Sequence, residues 1–144
     1  MNKVAENINN RIDELEVVML ENFEPIDCPL KHIFTPGLYT RQILMKAGSF
    51  ITSKIHKTEH PYEVSFGKVS VWNNDGEEVI IEAPHLGITK PGTRRVLFCH
   101  TDVVWTTFHP NPDNENLEQI EERIIEKHTN SLLNNINSYQ IKNQ

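Results

Sequence analysis

The chain has 144 residues, enough for one domain with a single core, and its 38% hydrophobic and 24% charged residues suit an ordinary globular protein. A net charge of −6 argues against a generic nucleic-acid surface, and no apolar run approaches the ~20 residues of a membrane helix. The charge is uneven: residues 31–110 hold nine Lys/Arg against seven Asp/Glu, a balance of +2, so the flanks together carry −8.

In chain order, Val4, Ile8, Ile12, Leu15 and Val18/Met19 recur at three-to-four spacing with acids between them, which predicts an amphipathic helix over residues 1–24. No continuous apolar stretch precedes a cleavage-type site there, so no secretory signal is expected. Residues 25–37 (PIDCPLKHIFTPG) carry three prolines and a glycine and read as an extended connector. From 38 to 109 the period changes to two, in the runs RQILMK, SFITSKI, KVSVW, EVIIEA, RRVLF and DVVWTTF. NNDG at 73–76 predicts a hairpin. Short strands without intervening helical stretches predict an antiparallel sandwich or barrel over 25–110. After Pro112 the helical period returns. Asp113 or Asn114 is the expected cap, Leu117, Ile120, Ile124 and Leu132 the stripe, and Lys127 and His128 lie further along a helix over 111–137. The polar residues 138–144 read as a frayed tail. Cys28 and Cys99 lack CxxC spacing and suit free buried thiols in a cytoplasmic protein.

The chemistry concentrates in SKIHKTEHPYEVSFG, residues 53–67. Gly48 is followed by five residues, Lys54, one residue, His56, three residues, His60, six residues and Gly67. This frame resembles the first motif of the cupin superfamily, G-x5-H-x-H-x3,4-E-x6-G, with Lys54 in place of the first histidine and His60 in place of the glutamate. In ITKPGTRRVLFC a Pro91–Gly92 turn resembles the second motif, G-x5-P-x-G-x2-H-x3-N. Arg95 then stands for its histidine and Cys99 for its asparagine, and the leading glycine is missing. The resemblance covers residues 38–109. It implies a mainly β, cupin-like antiparallel jelly-roll barrel flanked by an N-terminal and a C-terminal α-helix. HKTEHP, APHLGITKPGTRRVLF and VWTTFH together resemble small cupin-like proteins of phages and prophages, which implies a phage protein of the host cytoplasm and no particular reaction.

A cupin metal site needs several donors with free lone pairs, whereas lysine and arginine offer only N–H donors. Lys54, His56, His60 and Arg95 therefore point to a cationic pocket for a small anion: a nucleotide, a sugar phosphate or a carboxylate. Tyr62 and Trp105 are added as aromatic walls of that ligand site. Arg94, next to Arg95 on the same run, is expected to point outward. A purely structural reading has Lys54 or Arg95 paired with Glu59, Glu63 or Glu82. A third reading retains a divalent ion (Fe, Mn, Ni or Zn) on His56 and His60 with Glu63, His100 or His109, as in a metal-dependent cupin dioxygenase, isomerase or lyase. His100 and His109 end successive runs and are expected to lie near one another. The main reading is a non-catalytic binding protein without a cofactor, in its sharper form one that sequesters a host nucleotide signal. A virion-associated jelly roll, with the acidic helices as its assembly surface, is a further alternative. A homodimer is expected because a short barrel leaves sheet edges to cover. No P-loop, GxGxxG, GxSxG or HExxH motif is present.

Overall fold

The computed structural model describes residues 3–126 and, for the backbone, 138–141. Helix α1 spans Lys3–Asn22, and the strands that follow are β1 (Phe23–Pro25), β2 (Leu30–Thr35), β3 (Gly37–Met45), β4 (Ser49–Thr52), β5 (Ile55–His56), β6 (His60–Phe66) and β7 (Lys68–Asn73). Then come β8 (Glu78–Glu82), β9 (His85–Thr89), β10 (Arg95–Cys99), β11 (Val103–Asn111), helix α2 (Leu117–Ile124), β12 (Ile125–Glu126) and β13 (Ser138–Ile141). One sheet runs β1-β13-β4-β10-β7-β8 and the other β2-β3-β11-β6-β9, all paired antiparallel, with β12-β5 as a separate ladder. This is the expected antiparallel jelly roll. Its core lies between the sheets, where Val69, Val71, Leu97 and Cys99 of one meet Met45, Val64, Val103 and Trp105 of the other. Among the described residues no helix is long and apolar enough to cross a membrane.

Local chemistry explains most boundaries. NNDG turns β7 into β8, with Gly76 N–H donating to the Asn73 carbonyl at 3.0 Å. Gly67, the last residue of the histidine-bearing frame, has φ +96°, and a Cβ there would stand 2.0 Å from the Asp102 carbonyl oxygen. No side chain fits both conditions.

Several expectations are corrected. The segment taken as a connector contains β2, which pairs with β3 throughout; its prolines at 25, 29 and 36 flank the run LKHIFT and leave its N–H groups intact. His85 opens strand β9. Helix α2 ends at Ile124 and is capped by Asn116, whose side chain accepts from Gln119 N–H while the Gln119 side chain accepts from Asn116 N–H. Asn114 instead takes φ +51° and accepts from Gly37 N–H. Lys127, His128 and Leu132 lie outside the described residues. Residues 138–141 form a strand between β1 and β4. Ladder pairing uses backbone groups, which polar residues supply as well as apolar ones, so composition did not reveal it.

Helix α1 buries a different stripe from the one its apolar spacing suggests. Ala5, Asn9, Ile12, Glu16 and Met19 are buried, while Val4, Leu15, Val17 and Val18 are exposed. The cause is Arg94. It leaves the barrel as expected but is only 1% exposed, because α1 covers it. Its guanidinium donates to Asp13 at 2.8 Å, to Glu16 at 2.5 Å, to the Asn9 carbonyl at 3.1 Å and to the Ser53 carbonyl at 3.2 Å. Asn74 donates to Asn9 at 2.9 Å and accepts from Arg94 N–H at 3.0 Å. Helix α1 is thus turned to bring its polar face onto a buried cation.

Candidate functional site

Period-two alternation sets what faces the barrel interior. On β6, His60, Tyr62 and Val64 are buried. On β11 the buried set includes Trp105, Thr107 and His109. The registers join these into rows: Ile43, Trp105, Val64 and His85; Arg41, Thr107, Tyr62 and Gly87; Tyr39 with His109 and His60 with Thr89. Gly87 lies opposite Tyr62, and a Cβ at that position would come within 2.6 Å of the phenol ring. The missing side chain lets the ring lie flat. Tyr62 then stacks on Trp105, with centroids 4.6 Å apart and planes at 8°, and its hydroxyl lies 3.1 Å from His85 Nε2.

From the opposite sheet, β10 turns Arg95 inward over this platform. Its guanidinium carbon lies 4.9 Å from the Tyr62 ring centre and 5.6 Å from that of Trp105. Beside it the imidazoles run ring to ring, His56 to His60 at 5.1 Å and His60 to His109 at 4.3 Å, and His109 continues onto Tyr39 at 5.6 Å. Helix α2 closes this end: Ile120 and Ile124 pack on Tyr39, and β12 pairs Ile125 with His56.

The electrostatics are those of a cationic, desolvated group. Burial, His60, Arg95, His109 and Arg41 hold His56 down at about 3, and burial, His60, Arg41 and Arg123 hold His109 at about 3. Burial also lowers His60, against the pull of the Thr58 carbonyl. The arginines are shifted downward by burial as well. Glu121 acts on Arg41 and Asp75 on Arg95 only at a distance; among the described residues neither arginine makes a salt bridge. Four buried polar atoms in this region lack a hydrogen-bond partner there: His56 Nδ1, His60 Nε2, His109 Nδ1 and Thr89 Oγ1.

His60 Nδ1 lies 3.0 Å from the Thr58 carbonyl, which only accepts, so this nitrogen carries the proton. Nε2 of the neutral ring is then a lone pair aimed into the site. His109 Nε2 lies 2.9 Å from the Thr107 hydroxyl.

Of the residues singled out in the sequence, His56, His60, Arg95, Tyr62 and Trp105 come together. Lys54 lies half-buried on the stretch between β4 and β5, outside the charged groups named above as acting on His56. Arg41 and His109 complete the site. Glu63 does not contribute, because it alternates with His60 and Tyr62 and faces away from the interior. His100 follows β10 and lies 2.7 Å from the Ser70 hydroxyl, outside the core. It is not near His109: β11 separates them, roughly 20 Å of strand at ~3.3 Å per residue. The pairing of Arg95 with Glu59, Glu63 or Glu82 is absent among the described residues. Cys28 and Cys99 are buried, and burial pushes the Cys99 thiol up to about 12.

Of the third donors named for a divalent ion, His109 stands with His56 and His60, whereas Glu63 and His100 are elsewhere; Arg41 and Arg95 set two positive charges beside the three imidazoles. Among the described residues no group of three His, Cys, Asp or Glu side chains is disposed to ligate a metal.

The buried histidines make stability depend on acidity. An unfolded histidine titrates near 6.5, whereas His56 and His109 stay neutral to about 3. Between those values the unfolded chain binds more protons, so stability is complete above about pH 6.5 and is lost as the pH falls toward 3. Thermal melts are expected to drop steadily from pH 7 to pH 4, and His56→Gln with His109→Gln is expected to flatten that slope.

No protein-family model matches the chain, and no curated protein matches it in sequence. Solved structures do match in shape. A conserved protein with a double-stranded β-helix domain from Klebsiella pneumoniae is 15% identical, covers 76% of this chain and 95% of its own, and superposes with a TM-score of 0.52. A cupin superfamily protein from Desulfitobacterium hafniense is 6% identical, covers 60% of this chain and 80% of its own, and has a TM-score of 0.50. At these identities the likeness is one of fold.

Proposed function

Starting from a chain with the cupin fold, we propose that this protein binds a small organic anion between Arg41 and Arg95, at the barrel end lined by His56, His60 and His109. The observation that carries this reading is buried Arg95 with half-buried Arg41, both without a salt-bridged carboxylate among the described residues. A buried cation left uncompensated costs several kcal/mol. A bound carboxylate or phosphate removes that cost and takes a forked set of N–H donors.

The histidines narrow the class. Neutral His60 presents a lone pair at Nε2, which repels an anionic oxygen and accepts from a hydroxyl or N–H. The ligand that satisfies both is an anion that also carries a donor: a hydroxy acid, a sugar phosphate or a nucleotide. The Tyr62–Trp105 pair supplies an apolar wall for its body. Sequestration of a host nucleotide by a phage-encoded copy is the sharper form of this reading.

Native mass spectrometry against the denatured mass tests it. A retained organic anion, lost on denaturation, is expected. Near-stoichiometric iron, manganese, nickel or zinc in place of such a ligand would overturn the anion reading and restore the metal-dependent enzyme.

A further inference from the structure

The row that carries Arg95 ends in a charge of the other sign. Val71 on β7 stands opposite Val79 on β8, and both belong to the core. Period two continues that interior face to Asn73 and Glu77, joined by the bond from Asn73 N–H to the Glu77 carbonyl at 2.8 Å. Asn73 pairs in turn with Arg95 on β10. One interior row of the first sheet therefore reads Glu77, Asn73, Arg95. It faces the Tyr62 ring of the second sheet, over which Arg95 lies. Both charges bear on that ring: burial raises the Tyr62 hydroxyl, Arg95 opposes the rise and Glu77 adds to it.

The row runs from the interior to solvent. Arg95 is 8% exposed, Asn73 is half-buried and Glu77 is exposed. The two charged positions are two strands apart, ~9.6 Å at ~4.8 Å per strand. Among the described residues neither enters a salt bridge. Asp75, the other acid of this hairpin, is turned back on the chain, its Oδ1 accepting from Glu77 N–H at 2.8 Å. An exposed acid alone marks no site. This one shares a row with a buried guanidinium that lacks a carboxylate, beside the buried and unpartnered Nε2 of His60.

We propose that the ligand is zwitterionic, with its anionic head on Arg95 and an ammonium group at its outer end on the Glu77 carboxylate. The inference rests on the anion reading above and names the class of anion. A second anionic group at the outer end would meet Glu77 as a like charge, and a neutral tail gains nothing there. An ammonium group is attracted to Glu77 and held away from Arg41, Arg95 and the imidazoles, so the two ends of the row fix the direction in which the ligand enters. An aminoalkyl or amino-sugar phosphate has the two charges, and a sugar hydroxyl adds the donor that His60 Nε2 accepts.

Titration calorimetry with aminopropyl phosphate and with butyl phosphate, in which a methyl replaces the ammonium, is the test. The parent is expected to prefer aminopropyl phosphate about fivefold, as suits an exposed ion pair. Glu77→Gln is expected to bring the two to equal affinity. Glu78→Gln removes the same charge one residue away, from the outward face, and is expected to keep the preference. Equal affinities in the parent, a preference that survives Glu77→Gln, or one lost equally in Glu78→Gln would each overturn the zwitterion and leave the anion site standing. Failure of both phosphates to bind the parent would overturn the anion site and this inference with it.

Discussion

Arg95→Met is expected to abolish anion binding while leaving the fold as stable as the parent, or more so. Arg95 donates its guanidinium to no carboxylate among the described residues, and what it touches are the Tyr62 and Trp105 faces. Its removal ends the desolvation of an uncompensated charge and keeps the apolar stem that packs on the rings. For a ligand held as a buried charge pair, the same removal costs about 2–5 kcal/mol, at least a thirtyfold loss in affinity. Arg41→Met is expected to behave alike. Titration calorimetry with glycerol phosphate, beside a urea melt of each variant, reads both effects. Unchanged binding in both variants would show that the arginines are structural.

The neighbouring residue gives the opposite result. Arg94→Met removes a cation from between Asp13 and Glu16, and Glu16 is 1% exposed. Its carboxylate then stays buried and unpaired, at a cost of about 3–5 kcal/mol. Against a typical net stability of ~5–15 kcal/mol, that is enough to loosen α1 or unfold the chain at ordinary temperature. Adding Glu16→Leu is expected to recover much of the loss, since the orphaned charge is gone. The urea midpoint checks both variants. An Arg94→Met protein that melts like the parent would mean that α1 is not held by this network.

Two adjacent arginines with opposite consequences show how far the sequence could be read. Alternation along RRVLF put Arg94 and Arg95 on different faces. It could not say that the outer face was itself buried, since that depends on where α1 docks. The same ambiguity misplaced the stripe of α1: its apolar residues are spaced for a helix, and the face that docks is chosen by a cation 85 residues from Asn9 in the chain.

His56, His60 and Arg95 were legible because the spacing from Gly48 to Gly67 and the Pro91–Gly92 turn each set a register. Glu63 could have been rejected then, because HPYEV alternates and places it opposite His60 and Tyr62. Arg41 and His109 were harder. Period two puts Arg41 with Tyr39 and Ile43, and His109 with Trp105 and Thr107. Only the pairing of β3 with β11 brings them to one interior. Strand β13 depends on which sheet edges remain unpaired, which a single chain read in order does not contain.

The central claim is that an anion, and not a metal, belongs among Arg41, Arg95 and the three imidazoles. The most direct measurement follows the imidazole ¹⁵N signals while inorganic phosphate is added, then zinc to a fresh sample. The signals of His56, His60 and His109 are expected to move together and saturate with phosphate, with that of His100 unmoved. Imidazole signals indifferent to phosphate, but shifted by one equivalent of zinc at these three histidines, would contradict it.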